Sequence, residues 1–332
     1  MMDDRQRFLQ TMALGHPDRP PLFDEGIRDE VIAAWHTQGL PAGRALSERF
    51  TYDRREELET DLEPRPAFSR WPRALSGLRA WRERLDPDDP GRLPSDWQVR
   101  LPAWRQRAYP LMLRVHRGFF LTMGVYGWRR FAEVNRLLID EPRFVHAALD
   151  LQGAFAARLA EKVLQQVPVD AAIFSEPIGG NHGPLISPRM YVDFVLRSYQ
   201  PLLSVLKRYQ VPVVILRTYA NARVLIPAAL QAGFNCLWAC ECNAGDMDYR
   251  RLRAEYGPQL RLIGGIDADI LRQDQAAIRR EVALKIQPLL AGGGFIPLAD
   301  GRVREDVPFE NYACYRRLLE DLVFQAGNHC HD

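Results

Sequence analysis

Acids, arginines and hydrogen-bonding side chains recur in this chain at one kind of place, just after a short apolar β-rich run and before a helix-period segment. Glu25 and Arg28 follow Leu22-Phe23, Arg117 follows the run 111–115, and Glu176 follows 169–174. Arg217, Tyr219 and Asn221 follow 213–216, Glu241 follows 234–239, Asp267 follows 260–264, and Asp300 and Arg302 follow 295–298. The planar fork of arginine suits bidentate recognition of a carboxylate. A carboxyl close to others in a partly dry site has its pKa raised and can serve as a general acid. The set therefore reads as a pocket for a small anionic substrate. Glu176, Tyr219, Glu241 and Asp300 are the proton-handling candidates, and Glu25, Arg28, Arg117, Arg217, Asn221, Asp267 and Arg302 are the binding candidates. Any one of them can instead brace a strand end as an ion pair.

Other reactive residue types carry less. His116 follows a strand and titrates near neutrality when unperturbed, but such a lone histidine is more often a structural hydrogen-bonder. Cys236, Cys240 and Cys242 crowd together without a nearby histidine or the paired spacing of a zinc site, so no metal is expected. The terminal His329-Cys330-His331-Asp332 has ligand-type residues on a chain end. The glycines of the loop 178–184 lack phosphate-binding spacing, so that loop reads as a wrap or lid over a substrate. Gly292-Gly293-Gly294 reads as a helix stop.

The elements that must position these residues alternate strand with helix, which indicates βαβ units and a parallel sheet. A doubly wound open sheet gathers ligands only near its switch point, whereas a (β/α)8 barrel brings every strand's carboxyl end to one rim. Since each repeat contributes polar residues, the expected fold is α/β, a (β/α)8 TIM barrel. A first helix is expected over 4–14, a strand entered through Arg19–Phe23, and a helix over 28–35. A helix opening near Pro142 should bury Val145, Leu149, Ala156, Leu159 and Val163, and Ser187-Pro188 should cap another. The chain has 332 residues, which one decorated barrel over 1–332 accounts for. Residues 42–108, dense in Arg, Pro and Trp, form an irregular insertion or cap, with a strand hidden near 59–62.

With 44 Lys+Arg against 42 Asp+Glu the charge is balanced, which gives no reason to expect nucleic acid or an anionic membrane as partner. The charged N-terminus lacks a secretory apolar run, no stretch is long and apolar enough to span a bilayer, and five cysteines make no disulfide framework. A cytoplasmic protein is expected, and a homodimer is compatible with the sequence.

Leu262-Ile263-Gly264-Gly265-Ile266-Asp267, Gly293-Gly294-Phe295-Ile296 and the segment Asp306–Asn311 resemble motifs of the uroporphyrinogen decarboxylase superfamily. The likeness extends toward Arg7-Phe8 and Asp18-Arg19-Pro20-Pro21. The resemblance implies a (β/α)8 barrel of the uroporphyrinogen decarboxylase type and one of two chemistries. Decarboxylases of the family grip substrate carboxylates through an N-terminal arginine signature, which Phe23–Arg28 lacks. Their late histidine is matched by Asp300. Cobamide-dependent methyltransferases of the family that act on thiols hold zinc through an H-x-C pair, matched here by Arg217-Thr218-Tyr219. With both sets missing, the resemblance implies methyl transfer between a small anionic substrate and a corrinoid (cobalamin) presented by a partner protein, with no tightly bound cofactor. A cofactor-independent decarboxylase is the alternative, and a barrel that binds without catalysis is a third reading.

Overall fold

A computed structural model describes residues 2–41, 43, 45–241 and 247–328. Cys242 and the terminal 329–332 group lie outside the described residues. The chain divides into two compact units, one of Glu56–Arg107 with Leu111–Asn235, the other of Met1–Arg55, Ala108–Pro110 and Cys236–Asp332.

The first unit is built on four parallel strands among the described residues: β1 Glu56–Glu59, β2 Leu111–His116, β3 Ala171–Glu176 and β4 Val213–Tyr219. They pair in that order, with Leu58 opposite Leu113, Ala172 opposite Val214 and Ser175 opposite Arg217. The hidden strand therefore lies at Glu56–Glu59, slightly earlier than expected. The register slips between Arg114 and His116, so that His116 comes opposite Phe174. The helices Pro142–Leu164 and Arg197–Arg208 pack on each other and cover one sheet face. Pro142 opens the first of them, where its missing N–H costs nothing, and all five residues expected on its apolar stripe are buried. Ser187 caps the next segment by accepting from the Met190 amide at 3.2 Å.

The second unit carries three parallel strands among the described residues: β5 Cys236–Cys240, β6 Arg261–Ile266 and β7 Phe295–Ala299. Gly264 and Gly265 have φ of +112° and +96°, which breaks the regular ladder between β5 and β6. Tyr249 fills the gap: its hydroxyl accepts from Ala239 N at 2.9 Å and donates to Ile263 O at 2.8 Å. Both ends of the chain share this core. Trp35 stacks on Tyr312 with ring centres 4.8 Å apart, and its indole donates to Val307 O at 2.8 Å.

The strand expected after Arg19 does not form. Its place is taken by buried coil, in which Leu22 N donates to the Asp53 carboxylate at 2.6 Å, so a side chain satisfies the backbone group a ladder would have used. The two units thus hold four and three parallel strands among the described residues, one short of the expected eight.

Candidate functional site

The apolar runs read from the sequence end too early. β3 continues through Ser175 and Glu176, and β4 through Arg217, Thr218 and Tyr219. Residues that a loop would scatter are therefore sorted to alternate sheet faces. Glu176 is opposite Thr218, whereas Arg217 is opposite Ser175.

On the helix-covered face Glu176 is fully buried. Its Oε1 accepts from Phe119 N at 2.9 Å, and its Oε2 accepts a very short hydrogen bond from Tyr199. Burial pushes its carboxyl up to about 7 against the pull of those two donors. The Tyr191 hydroxyl, also buried and close enough to feel Glu176, has no hydrogen-bond partner among the described residues. His116 lies against Tyr199 with ring centres 4.4 Å apart, and its Nδ1 accepts from Gly118 N at 2.9 Å. Burial, helped by the Arg117 charge, lowers the imidazole to about 3, so it is neutral and structural. Gly118, at φ +87°, is needed here because a Cβ would lie 2.3 Å from Ser175 O.

The opposite face carries an ion-pair chain. Arg217 sets Nη1 and Nη2 on the two oxygens of Glu57, at 2.9 and 2.5 Å. Arg114 reaches the same Glu57 with Nη2 at 3.0 Å and Glu59 with Nη1 at 2.8 Å. Glu57 and the Arg217 side chain are largely buried, whereas the Glu59 side chain is 59% exposed. Tyr219 follows two residues after Arg217 on the same face and is 38% exposed. Over this strand end lies the hairpin of Gly179–Gly180 and Gly183–Pro184, tied down by Asn221 N donating to Gly180 O at 3.0 Å. Gly179 permits the approach, since a Cβ there would meet Tyr219 O at 2.0 Å. Asn221 is buried, and its Oδ1 accepts from Arg223 N at 3.2 Å. Arg117, just past β2, pairs with Glu63 at 2.8 Å and donates to the Tyr126 hydroxyl at 2.8 Å.

Sequence reasoning passed over Glu57, Glu59 and Arg114. They lie inside segments read as apolar or irregular. The available signal was the alternation Glu57-x-Glu59 beside the lone Arg114 of an otherwise apolar run.

In the second unit the candidates take several roles. Asp300 is buried and its Oδ1 accepts from Ala268 N at 2.8 Å, while Asp267 Oδ1 accepts from Asp269 N at 2.9 Å. Both aspartates thus cap the short helix Ala268–Arg272. Glu25 approaches Arg55 at 3.6 Å, and the Arg55 guanidinium lies 4.8 Å from the centre of the Trp238 ring. Asp24, Tyr312 and Tyr52 form a hydrogen-bonded chain of 3.0 and 2.7 Å beside a cavity of about 510 Å³. Arg28 is exposed, 3.7 Å from Glu30, and Glu241 and Arg302 are exposed. Within each unit, then, the structure sets Arg217 and Tyr219 on one face of a strand end with Asn221 just beyond it, and aims Asp267 and Asp300 at one short helix. It sets Glu176 on the other face from Arg217.

No helix among the described residues is long and apolar enough to cross a membrane. Among the described residues no three His, Cys, Asp or Glu stand together as a metal site. No curated protein matches the chain. The family model described as uroporphyrinogen decarboxylase (URO-D) matches residues 119–317, a span that contains the glycine-rich β6, the start of β7 and the segment 306–311 but begins after the N-terminal motifs. That match covers more than half of the 332 residues, and the chain belongs to the uroporphyrinogen decarboxylase family.

Proposed function

We propose that this chain is an enzyme that binds a small anionic substrate at Arg114 and transfers its methyl group to a corrinoid borne by a partner protein, within a (β/α)8 architecture of the family type. The observation that carries the reading is the unequal pairing of Arg114. One side of its guanidinium is fixed by the largely buried Glu57, which Arg217 clamps. The other side rests on the exposed Glu59, a partner that a substrate carboxylate or phosphate can replace.

Tyr219, on the same face, is the proton donor in this reading. As the methyl group leaves an oxygen or nitrogen of the substrate, the phenol protonates that heteroatom and prevents its return. Glu176 takes no direct part, because both of its oxygens are engaged below the sheet. The segment Phe23–Arg28 speaks against a tetrapyrrole substrate: Asp24 stands where decarboxylases of the resemblance carry the first arginine of their signature, and Arg28, at the place of the second, turns outward toward Glu30.

Decarboxylation of a small anion is the second reading, favoured by the description of the matching family. The same grip would hold the carboxylate's neighbour, and Tyr219 would protonate the carbanion left behind. The deciding experiment presents methylated carboxylates and phosphates to the protein with cob(I)alamin, following absorbance alongside carbon dioxide release. Methyl transfer that falls at least tenfold in Arg114→Ala supports the first reading. Carbon dioxide without methyl transfer supports the second. Neither product, with unchanged ligand binding in Arg114→Ala, overturns both.

A further inference from the structure

The first unit presents a surface cleft of about 640 Å³ walled by Arg70, Arg73, Arg129 and Arg130, with Tyr126 and Trp128 on its rim. One carboxylate, Glu133, stands among these four guanidiniums. Arg130 donates to Glu133 at 2.8 Å and Arg73 makes a very close ion pair with it. Burial would raise the Glu133 carboxyl, but the Arg130 hydrogen bond and the charges of Arg130, Arg73 and Arg129 hold it below the usual carboxylate range. A single acid cannot neutralise four cations, so the cleft keeps an excess of positive charge in a chain whose total is only +2.

The floor is rigid. Trp71 packs against Phe68 and Trp81 with ring centres 5.0 and 5.3 Å apart, and Arg130 lies over it at 5.8 Å. Gly124, at φ +77°, is obligatory, because a Cβ would sit 2.0 Å from the Trp71 ring. On this fixed base two aromatic side chains face water. Trp128 is 85% exposed and Tyr126 is 62% exposed. The helix Trp128–Asp140 starts at the cleft without an acid in its first turn, so its dipole adds to the positive potential. The cleft is tied to the end of β2, since the Tyr126 hydroxyl accepts from Arg117, the first residue past that strand and three beyond Arg114.

Exposed Trp and Tyr framed by arginines is the composition of residues that dominate protein–protein binding energy. Single-stranded nucleic acid would call for a track of cations with successive stacking platforms. Here the cations ring one hollow with a carboxylate in its middle and one projecting indole. We infer that this cleft docks the acidic face of a partner protein, with Trp128 entering an apolar pocket of that partner. The partner is thereby held beside the Arg114 end of the sheet. The inference rests on the proposed function only in taking this partner to be the carrier that exchanges a group with the site.

The test needs no turnover. A synthetic 16-residue peptide of alternating Glu-rich and Leu-bearing turns and an oligothymidylate of equal length, each carrying a terminal fluorescent label, are titrated with the full chain, with the anisotropy of the label as readout. The expected result is saturable peptide binding that weakens with salt, at least tenfold in Trp128→Ala and in the double variant Arg70→Glu/Arg129→Glu, with the thermal melt unchanged. Binding of the oligothymidylate alone, peptide binding indifferent to both variants, or no peptide binding each overturns it. So does sedimentation showing a dimer that Trp128→Ala dissociates, because the occupant is then a second copy. Anion binding at Arg114 is measured separately on the same variants, so the two readings fail independently.

Discussion

At the scale of single residues, one step along a strand separates a buried acid from an arginine paired on the opposite face. Glu176 and Arg217 come from neighbouring strand ends, yet one turns to the helices and the other to Glu57. The first consequence concerns binding. Arg114→Ala should weaken binding of a small carboxylate at least tenfold, about 1.4 kcal/mol. Glu59→Gln should strengthen it by removing a competitor, and isothermal titration reads both; tighter binding in Arg114→Ala would sink the assignment. Arg217→Ala should lower stability as well as binding, since it strips a bidentate clamp from Glu57. The second consequence concerns pH. Glu176 has a raised pKa of about 7 in the fold, so its share of stability is full below the unfolded carboxyl range, near 4.5, and is lost as pH rises to about 7. His116 is lowered to about 3 from 6.5, so its share is present above 6.5 and lost as pH falls below it. The opposed slopes overlap between these windows and leave the melting temperature nearly flat there. Glu176→Gln should remove one slope, on the order of 3 kcal/mol across the window, and leave stability rising with pH. Melts that stay flat in the variant would refute the pairing.

At the scale of elements, strands here are held by side chains as well as by ladders. Tyr249 bridges β5 and β6 where two glycines leave the regular strand conformation. Tyr249→Phe keeps the ring but leaves Ala239 N without that acceptor, and should cost about 1–3 kcal/mol in urea unfolding. A loss below about half a kcal/mol would mean that another acceptor, such as water, replaces the phenol. The early end assigned to β3 and β4 from the sequence has a physical cause. Apolar runs mark where a strand is buried on both faces, not where its hydrogen bonding stops. Ser175-Glu176 and Arg217–Tyr219 are polar because one face has lost its apolar cover or gained a polar partner, while the ladder continues.

At the scale of the whole molecule, one unit is assembled from both ends of the chain, and a buried charge cluster ties its N-terminal part together. Asp53 accepts from Arg7 at 2.6 Å and from Arg19 at 2.6 and 2.9 Å, besides Leu22 N. Burial would raise its carboxyl, but the Arg19 hydrogen bond and charge outweigh that and lower it. Its stabilisation is therefore present at neutral pH and is lost as pH falls through the depressed value. Asp53→Asn should strip the buried Arg19 guanidinium of its ion-pair partner, while Arg7 keeps Asp4 and Asp18, and should cost on the order of 3 kcal/mol at neutral pH, with the difference shrinking in acid. A variant gap that does not shrink would show packing, not charge, to be the cause.

The sequence by itself determined the alternation of strand and helix, the long helix from Pro142 with its buried stripe, and the family, because periodicity, caps and short glycine motifs are local in the chain. It also placed Arg217, Tyr219 and Asn221 near one strand end. Only the tertiary structure decided which face each side chain takes, that Glu57 joins Arg114 to Arg217, and that Asp53 replaces a strand at Leu22. Those outcomes depend on pairing register and on partners far away in sequence, 160 residues from Glu57 to Arg217 and 31 from Leu22 to Asp53. A period-two strand turns a one-residue change of register into a change of face, and a run that is apolar on both faces carries little alternation to mark which face the polar residues at its end will take.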